Sequence, residues 1–208
     1  MMKSLFITFE GPEGAGKTTV LKKIAEKYME QQVSVLTTRE PGGSVIAEKI
    51  REVILDKAHV EMDPRTEALL YAAARSQHFV EKVAPALAEG KLVLCDRFID
   101  SSLAYQGVGR QLGIDAVKAI NEFGIGQRLP DKTILFDLDP EVGLARIAAN
   151  KGREVNRLDE EGLAFHKQVR AAYVQLAEKY PERIQLINAN QPVERVVEDV
   201  WNCLQTLS

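Results

Sequence analysis

Cysteine and histidine are scarce in this chain, and their small numbers exclude two kinds of site. Its 208 residues include two cysteines, Cys95 and Cys203, which are too few and too far apart for a disulfide framework or a metal cluster. The three histidines share no spacing typical of metal ligands, so we assign none of them a catalytic or metal-binding role: His59, His78 and His166. We expect Cys95 to be a buried strand residue.

An excess of positive charge and a long apolar run are also absent. Twenty-seven basic residues against thirty acidic ones give a net charge of −3, which argues against a nucleic-acid-binding protein. No apolar run approaches the ~20 residues of a membrane span, and Met1–Leu5 has no signal-peptide layout. With 45% hydrophobic residues the chain can build a full core. We expect one cytoplasmic domain over residues 1–208 that binds neither nucleic acid nor membrane.

Short apolar runs alternate with longer segments of helical periodicity, which predicts a parallel sheet covered by helices on both faces. Strands are expected at Ser4–Glu10, Val33–Thr38, Leu92–Asp96, Lys132–Asp137 and Ile184–Asn188. Helices are expected at Lys17–Gln31, Ser44–Leu55, Pro64–Glu89, Pro140–Ala149, Glu160–Tyr180 and Pro192–Leu207. The predicted fold class is therefore α/β, a three-layer α/β/α sandwich with a five-stranded parallel sheet.

Several helix boundaries have local signals. Asp63-Pro64 and Asp139-Pro140 each place a capping carboxylate before a proline at the first helical position. Pro85 lacks a backbone N–H and should bend or end the third helix early. The stretch Asp100–Leu129 mixes five glycines with short helical patches, so its boundaries are weakly defined.

One motif is complete and lies between a predicted strand and a predicted helix. Residues 11–18 read Gly-Pro-Glu-Gly-Ala-Gly-Lys-Thr and match G-x-x-x-x-G-K-[ST], a loop whose backbone amides wrap a phosphate. Lys17 would reach the β- and γ-phosphates of a nucleotide, and the Thr18 hydroxyl would hold Mg²⁺. The predicted ATP-binding residues are Gly11, Pro12, Glu13, Gly14, Ala15, Gly16, Lys17, Thr18 and Thr19.

The chain lacks the second motifs of two common classes of nucleotide hydrolase. A GTPase would carry Asn-Lys-x-Asp, but residues 150–153 read Asn-Lys-Gly-Arg. A motor ATPase would end its acidic strand in Asp-Glu, whereas Leu92–Asp96 is followed by Arg97. This pair suits phosphoryl transfer between two bound phosphates, with Asp96 near the metal and Arg97 neutralising charge. The alternative is an ion pair that closes a strand.

Four segments, in this order, together resemble bacterial thymidylate kinases. They are residues 9–19 (FEGPEGAGKTT), 39–43 (REPGG), 96–107 (DRFIDSSLAYQG) and 153–157 (REVNR). The resemblance covers essentially the whole chain. It implies the P-loop NTPase fold and a homodimeric nucleoside monophosphate kinase, which uses Mg²⁺ and transfers the γ-phosphoryl group of ATP to dTMP in dTTP synthesis.

The resemblance also implies an acceptor site for the thymine base and sugar. Tyr71 would stack on thymine, where many members have Phe, and Arg75, on the same helix face, would bond the O4 edge. Tyr105 would crowd C2′ and exclude a ribose hydroxyl, while Ser102 and Gln106 would contact the base. Alternatively, Tyr71 is a core tyrosine and residues 101–106 form a solvent-facing turn.

Three arginines are implied to hold the acceptor phosphate: Arg39, Arg51 and Arg97. Glu40 lies on the same loop as Arg39, and we expect the Glu40–Pro41 bond to be cis. Arg51 could instead be a solvated salt-bridge partner on an amphipathic helix. Glu13 corresponds to the acidic residue that meets the 3′-hydroxyl or the metal region. His78 could line this pocket or be an ordinary packed histidine.

Residues 150–158 are polar and lie between two predicted helices, as a lid over ATP would. Related kinases without an arginine in the phosphate loop supply one from the lid, and here we predict Arg153, with Arg157 second. The catalytic set is then Lys17, Arg97, Arg153 and Glu13. Ordinary solvated charges on a flexible loop are the alternative. The turn at residues 188–192 could flank adenine.

Three other functions remain open from the sequence. A related kinase could act on a different monophosphate or a small alcohol, although Tyr71, Arg75 and Tyr105 favour dTMP. A nucleotide-dependent switch would bind ATP with little turnover, and a lapsed paralogue would have lost activity. The complete set of motif residues argues against the last two.

Overall fold

Five parallel strands form the centre of the protein. The computed structural model describes residues 4–149 and 157–207. The strands are β1 (Phe6–Glu10), β2 (Val35–Arg39), β3 (Leu92–Asp96), β4 (Lys132–Asp137) and β5 (Ile184–Asn188). Their order in the sheet is β2-β3-β1-β4-β5, and all neighbouring strands run parallel. The predicted five-stranded parallel sheet is confirmed.

Helices cover both faces of the sheet. The α-helices are α1 (Lys17–Glu30), α2 (Val45–Leu55), α3 (Pro64–His78), α4 (Ala84–Ala88), α5 (Ile99–Ser102), α6 (Ile114–Ile125), α7 (Pro140–Ala149), α8 (Leu163–Lys179) and α9 (Val193–Gln205). Two π-helical segments, Phe79–Val83 and Leu103–Gly109, and a 3₁₀ turn, Arg157–Glu160, complete the described elements. None of the helices described is long and apolar enough to cross a membrane.

The strand β1 explains why the core has two parts. All five of its residues are buried, and successive side chains point to opposite faces. Ile7 and Phe9 pack with α1 and α9 on one face, whereas Phe6 packs with α2, α3, α6 and α8 on the other. Glu10 shares the face of Phe6 because it lies four residues further along. The predicted three-layer arrangement is therefore confirmed.

The two helix starts with Asp-Pro signals agree with the structure, whereas the helix predicted from Glu160 begins at Leu163. The Asp63 carboxylate accepts a hydrogen bond from the Arg65 N–H at 2.8 Å, and that of Asp139 accepts one from the Glu141 N–H at 2.9 Å. The α-helical part of the third helix ends at His78, before Pro85, and a π turn follows in which the N–H of Ala84 donates to the carbonyl of Phe79.

The stretch Asp100–Leu129 contains more regular structure than the sequence predicts, namely α5, the second π segment and α6. Helix α6 lies between Gly113 and Gly126, which have φ angles of 87° and 61°. A left-handed glycine commonly ends a helix at its C-terminus, so Gly126 was the signal for the end of α6.

Candidate active site

The carboxyl ends of three neighbouring strands meet at one edge of the sheet and form a pocket of about 470 Å³. The phosphate loop follows β1, the loop 40–44 follows β2, and Arg97 follows β3. In open parallel sheets ligands bind at this edge. The lining residues include Lys17, Thr18, Arg39, Glu40, Arg51, Tyr71, Asp96, Arg97, Ser102, Tyr105 and Gln106, and also residues 13–16 and Thr19. Most residues of the predicted site are therefore brought together.

The phosphate loop is tightly packed against the start of α7. Gly14 has a φ angle of 71°, and a Cβ there would lie 2.3 Å from the carbonyl oxygen of Gly143, so glycine is required. Lys17 is 7% exposed, and its ammonium donates to the carbonyls of Gly11 and Pro12 at 3.0 and 2.8 Å. Burial and the charge of Arg97 lower the pKa of Lys17 to about 8. The loop therefore holds a buried cation where an anion would be favourable.

Thr18 and Asp96 come together at the mouth of the loop. The Thr18 hydroxyl donates to the Asp96 carboxylate, although the two residues belong to α1 and β3. Over residues 4–149 and 157–207 no group of three or more His, Cys, Asp or Glu side chains could hold a metal by itself. A hydroxyl and a carboxylate oxygen nevertheless suit Mg²⁺, which usually takes few protein ligands and completes its shell with phosphate and water.

Arg97 lies at the centre of the pocket and is paired with Glu13. Its guanidinium donates to Glu13 Oε1 at 2.7 Å and to the carbonyl of Gly11 at 3.1 Å. The Tyr105 hydroxyl donates to the other oxygen of Glu13. Burial acts to raise the pKa of Glu13, but the charges of Arg97 and Lys17 and the hydrogen bond from Tyr105 lower it below its ordinary value. Glu13 is therefore held as a carboxylate beside Arg97.

The loop after β2 brings two further arginines together. The Glu40–Pro41 bond is cis, as predicted. Arg39 and Arg51 both donate to the carbonyl of Pro41, at 2.9 and 3.1 Å, and Arg39 also pairs with Glu48 at 3.0 Å. These two arginines thus reach the same carbonyl at the edge of the pocket, as a shared phosphate ligand would require.

Arg75 lies behind the pocket wall instead of at its surface. It is 2% exposed, and its guanidinium donates to Glu40 at 2.7 Å and to the Ser102 hydroxyl at 2.8 Å. The Phe98 carbonyl, at 3.0 Å, and the Asn121 side chain accept the other hydrogen bonds. Arg75 therefore supports two pocket-lining residues, and the predicted base contact stays a prediction.

His78 is the second buried support of Glu40, and sequence reasoning left its role open. Its Nδ1 contacts Glu40 Oε1 at 2.8 Å and its Nε2 contacts Thr38 Oγ1 at 2.7 Å. The three-residue spacing of Arg75 and His78 puts both on one face of α3 and was the signal for this role. Together they fix Glu40 within the wall.

The two predicted lid arginines fall in different places. Arg153 lies outside the residues that the structure describes. Arg157 is 8% exposed and donates to Glu67 at 2.6 Å and to the carbonyl of Ile54 at 3.2 Å. Glu67 also accepts from Gln106 at 2.8 Å. The described end of the segment is thus tied, through Glu67, to Gln106 in the wall of the pocket.

Arg146 lines the pocket from α7 and is missed by the sequence reasoning. Its guanidinium donates to the carbonyl of Ala189 at 3.3 Å, within the turn at residues 188–192. An exposed arginine on an ordinary amphipathic helix gives no signal of such a contact in the sequence. The contact between Arg146 and Ala189 places the helix after β4 and the turn after β5 on the same side of the phosphate loop.

A family model described as thymidylate kinase matches residues 9–200 of this chain. The chain belongs to the thymidylate kinase family. It is 60% identical over 205 residues to the thymidylate kinase of Clostridium novyi (strain NT), covering 99% of this chain and 100% of that protein. It is also 60% identical over 206 residues to the thymidylate kinase of Anoxybacillus flavithermus (strain DSM 21510 / WK1), covering 99% of each.

A solved structure of a family member agrees with the fold. The crystal structure of thymidylate kinase from Ehrlichia chaffeensis matches with a TM-score of 0.80 and 32% sequence identity, over 97% of this chain and 99% of that one. The family predicted from the four sequence segments is confirmed, and with it the phosphotransferase class. Membership of the thymidylate kinase family agrees with the sequence, which already disfavoured the GTPase and motor ATPase classes.

Proposed function

We propose that this chain transfers the γ-phosphoryl group of ATP to dTMP, giving ADP and dTDP, a step in dTTP synthesis. The observation that carries the proposal is that one pocket is lined both by the phosphate loop and by three arginines. The phosphate loop with Lys17 forms one end, Arg39 and Arg51 line the other, and Arg97 lies between them. A hydrolase needs the first end only, whereas transfer between two nucleotides needs both.

At the donor end the chain binds and orients the ATP phosphates. The loop amides and the positive end of α1 would surround the β-phosphate, and Lys17 would exchange its two loop carbonyls for phosphate oxygens. Thr18 and Asp96 would hold Mg²⁺, which when bound neutralises charge on the phosphate oxygens. Arg146 and the turn at residues 188–192 would flank adenine.

At the acceptor end the arginines bind the dTMP phosphate and position it for in-line attack. A phosphate monoester oxygen is already ionised near pH 7, so no general base is needed. Catalysis then consists of positioning and charge stabilisation. Tyr71 would stack on thymine, Ser102 and Gln106 would contact the base, and the Glu13–Tyr105 pair would meet the deoxyribose.

A lid arginine would complete the charge stabilisation. Residues 150–158 would close over ATP and exclude water. Arg153 is our candidate, because Arg157 already forms a buried ion pair with Glu67. We also propose that the protein is a cytoplasmic homodimer, supported by exposed apolar side chains on α2, α3 and α6, among them Val45 and Phe123.

The test is a coupled assay of ADP release with Mg-ATP and a panel of dTMP, dUMP, dCMP, dAMP, dGMP and UMP. We expect strong turnover that is selective for dTMP and is abolished in Lys17→Ala. Turnover with another acceptor would retain the kinase but overturn the assignments of Tyr71, Arg75 and Tyr105. ATP binding without turnover of any acceptor would favour the nucleotide-dependent switch.

A further inference from the structure

Glu10, the last residue of β1, is a fully buried carboxylate whose hydrogen bonds all lead toward Arg97. Its Oε1 accepts from the backbone N–H groups of Phe98 and Ser101 at 2.7 and 3.3 Å. Its Oε2 accepts from the hydroxyls of Ser101 and Tyr173 at 2.6 and 2.9 Å. Four donors fill the lone-pair sites of the buried carboxylate, and what needs an explanation is that they all lie around Arg97.

The first pair of hydrogen bonds fixes the backbone on which Arg97 stands. Arg97 has a φ angle of 69°, in the left-handed region that residues with a Cβ disfavour. Its own N–H donates to the carbonyl of Phe9 at 3.0 Å, and the next N–H, that of Phe98, donates to Glu10. The end of β1 therefore holds two consecutive amides of this turn, and the turn stays in its disfavoured conformation.

The second pair fixes two oxygens that face the guanidinium of Arg97. Its Nη1 lies 3.1 Å from the Ser101 hydroxyl oxygen and 3.3 Å from that of Tyr173. Both hydroxyls also bond Glu10, and they lie 2.8 Å from each other. Glu10 therefore determines where these hydroxyls sit and which of their lone pairs face Arg97.

We infer that Glu10 is a positioning residue for Arg97, holding both the turn that carries this arginine and the hydroxyls that orient its guanidinium. The inference rests on the role of Arg97 in the proposed function. Arginine donors must be held within a fraction of an ångström to match the oxygens of a transferred phosphoryl group. Because Glu10 lies beneath the pocket, it acts through Arg97 and not on the nucleotides.

Two substitutions of Glu10 are compared, one that keeps the shape of the side chain and one that removes its hydrogen bonds. In Glu10→Gln the amide oxygen can accept from both backbone N–H groups, and the NH₂ group can donate to both hydroxyls. We expect this variant to retain more kcat than Glu10→Ala, because the two backbone contacts that hold the turn remain, although both hydroxyls must then accept from the amide instead of donating to a carboxylate. In Glu10→Ala all four are lost, and we expect kcat/KM for dTMP to fall about 10- to 100-fold through misplacement of Arg97.

The decisive measurement is a double-mutant cycle with Arg97→Ala. If Glu10 acts through Arg97, Glu10→Ala should change kcat/KM by less than about twofold in the Arg97→Ala background. A merely structural role would lower activity by the same factor in both backgrounds and would overturn the inference. Full activity of Glu10→Ala with a crippled Arg97→Ala would also overturn it, while the proposed function would stand. Full activity of Arg97→Ala would instead reject the role of Arg97.

Two further variants keep the test sharp. Thr8 lies on the same strand and sheet face as Glu10, and its hydroxyl bonds Thr133 at 2.9 Å, so Thr8→Val disturbs the same core and should leave kcat/KM unchanged. If Glu10→Ala does not fold, Tyr173→Phe removes one hydroxyl that joins Glu10 to Arg97. Its loss of activity should also vanish in the Arg97→Ala background, and a loss that persists there would contradict the inference.

Discussion

At the scale of single residues, the buried carboxyl group of Glu10 couples the stability of the fold to pH. Burial is the main cause that raises the pKa of Glu10 from 4.5 to about 7, and the charge of Asp100 is the second. The charge of Arg97 and the hydrogen bonds from Ser101 and Phe98 act in the opposite direction. Asp100 is itself paired with Arg183 at 2.6 Å. The folded state therefore binds the Glu10 proton more tightly than the unfolded state does.

Because the pKa of Glu10 is higher in the folded state, the free energy of unfolding should fall as the pH rises. The stabilisation from this proton is complete below pH 4.5 and is lost as the pH rises to about 7. Glu10→Gln cannot titrate, so its unfolding free energy relative to wild type should increase by about 3 kcal/mol between pH 4.5 and 8. Urea denaturation across this range measures the difference. A difference that does not change with pH would mean that Glu10 stays ionised throughout.

Arg75 tests how much a buried ion pair contributes compared with an exposed one. Arg75 and Glu40 are each 2% exposed, and removal of one partner leaves a buried charge with less compensation. Arg75→Met should lower the free energy of unfolding by about 3–5 kcal/mol. The matched control is Arg39→Met, whose pair with Glu48 is largely exposed and should cost less than about 1 kcal/mol. Equal losses in urea denaturation would contradict the wall role of Arg75.

At the scale of elements, local sequence signals predict those strands and helix ends that are determined within one segment of the chain. The strands and the capped helix starts were found because periodicity and Asp-Pro pairs act locally. The π turn at Phe79–Val83 was not found, because the wide turn depends on which side chains reach the core on either side of it. Val83 at the end of the turn and Ala86 beyond it are buried, as are Ala74 and His78 before it. Pro85 predicted an interruption but not its form.

The same distinction applies to the candidate site. Lys17, Arg39 and Arg97 could be placed at one edge of the sheet because each follows or ends a predicted strand. The positions of Arg75 and Arg157 could not, because each is determined by an acidic partner from a distant part of the chain, Glu40 and Glu67. The side-chain partners of buried arginines are a property of tertiary packing.

At the scale of the whole molecule, the strand order would arrange the two proposed substrates in a row. The phosphate loop follows the central strand β1, while at one side Arg97 follows β3 and Arg39 ends β2. Arg146 on α7 and the turn after β5 lie at the other side. This order supports an acceptor above β2 and β3 and an ATP base beyond β4. The phosphoryl group would then move between them, above β1, where Arg97 faces Glu13.

The outer helices differ between the two faces of the sheet, which bears on the proposed dimer. On one face α2 packs on α3 and α3 on α6, and these helices leave Val45, Ile46, Leu69 and Phe123 exposed, the last at 94%. An extensive exposed apolar surface usually marks an interface. Phe123→Asp should therefore convert a dimer into a monomer, as measured by light scattering over a dilution series. Met29→Asp, on α1 at the opposite face, should remain dimeric. A monomeric wild type, or equal behaviour of the two variants, would reject this interface.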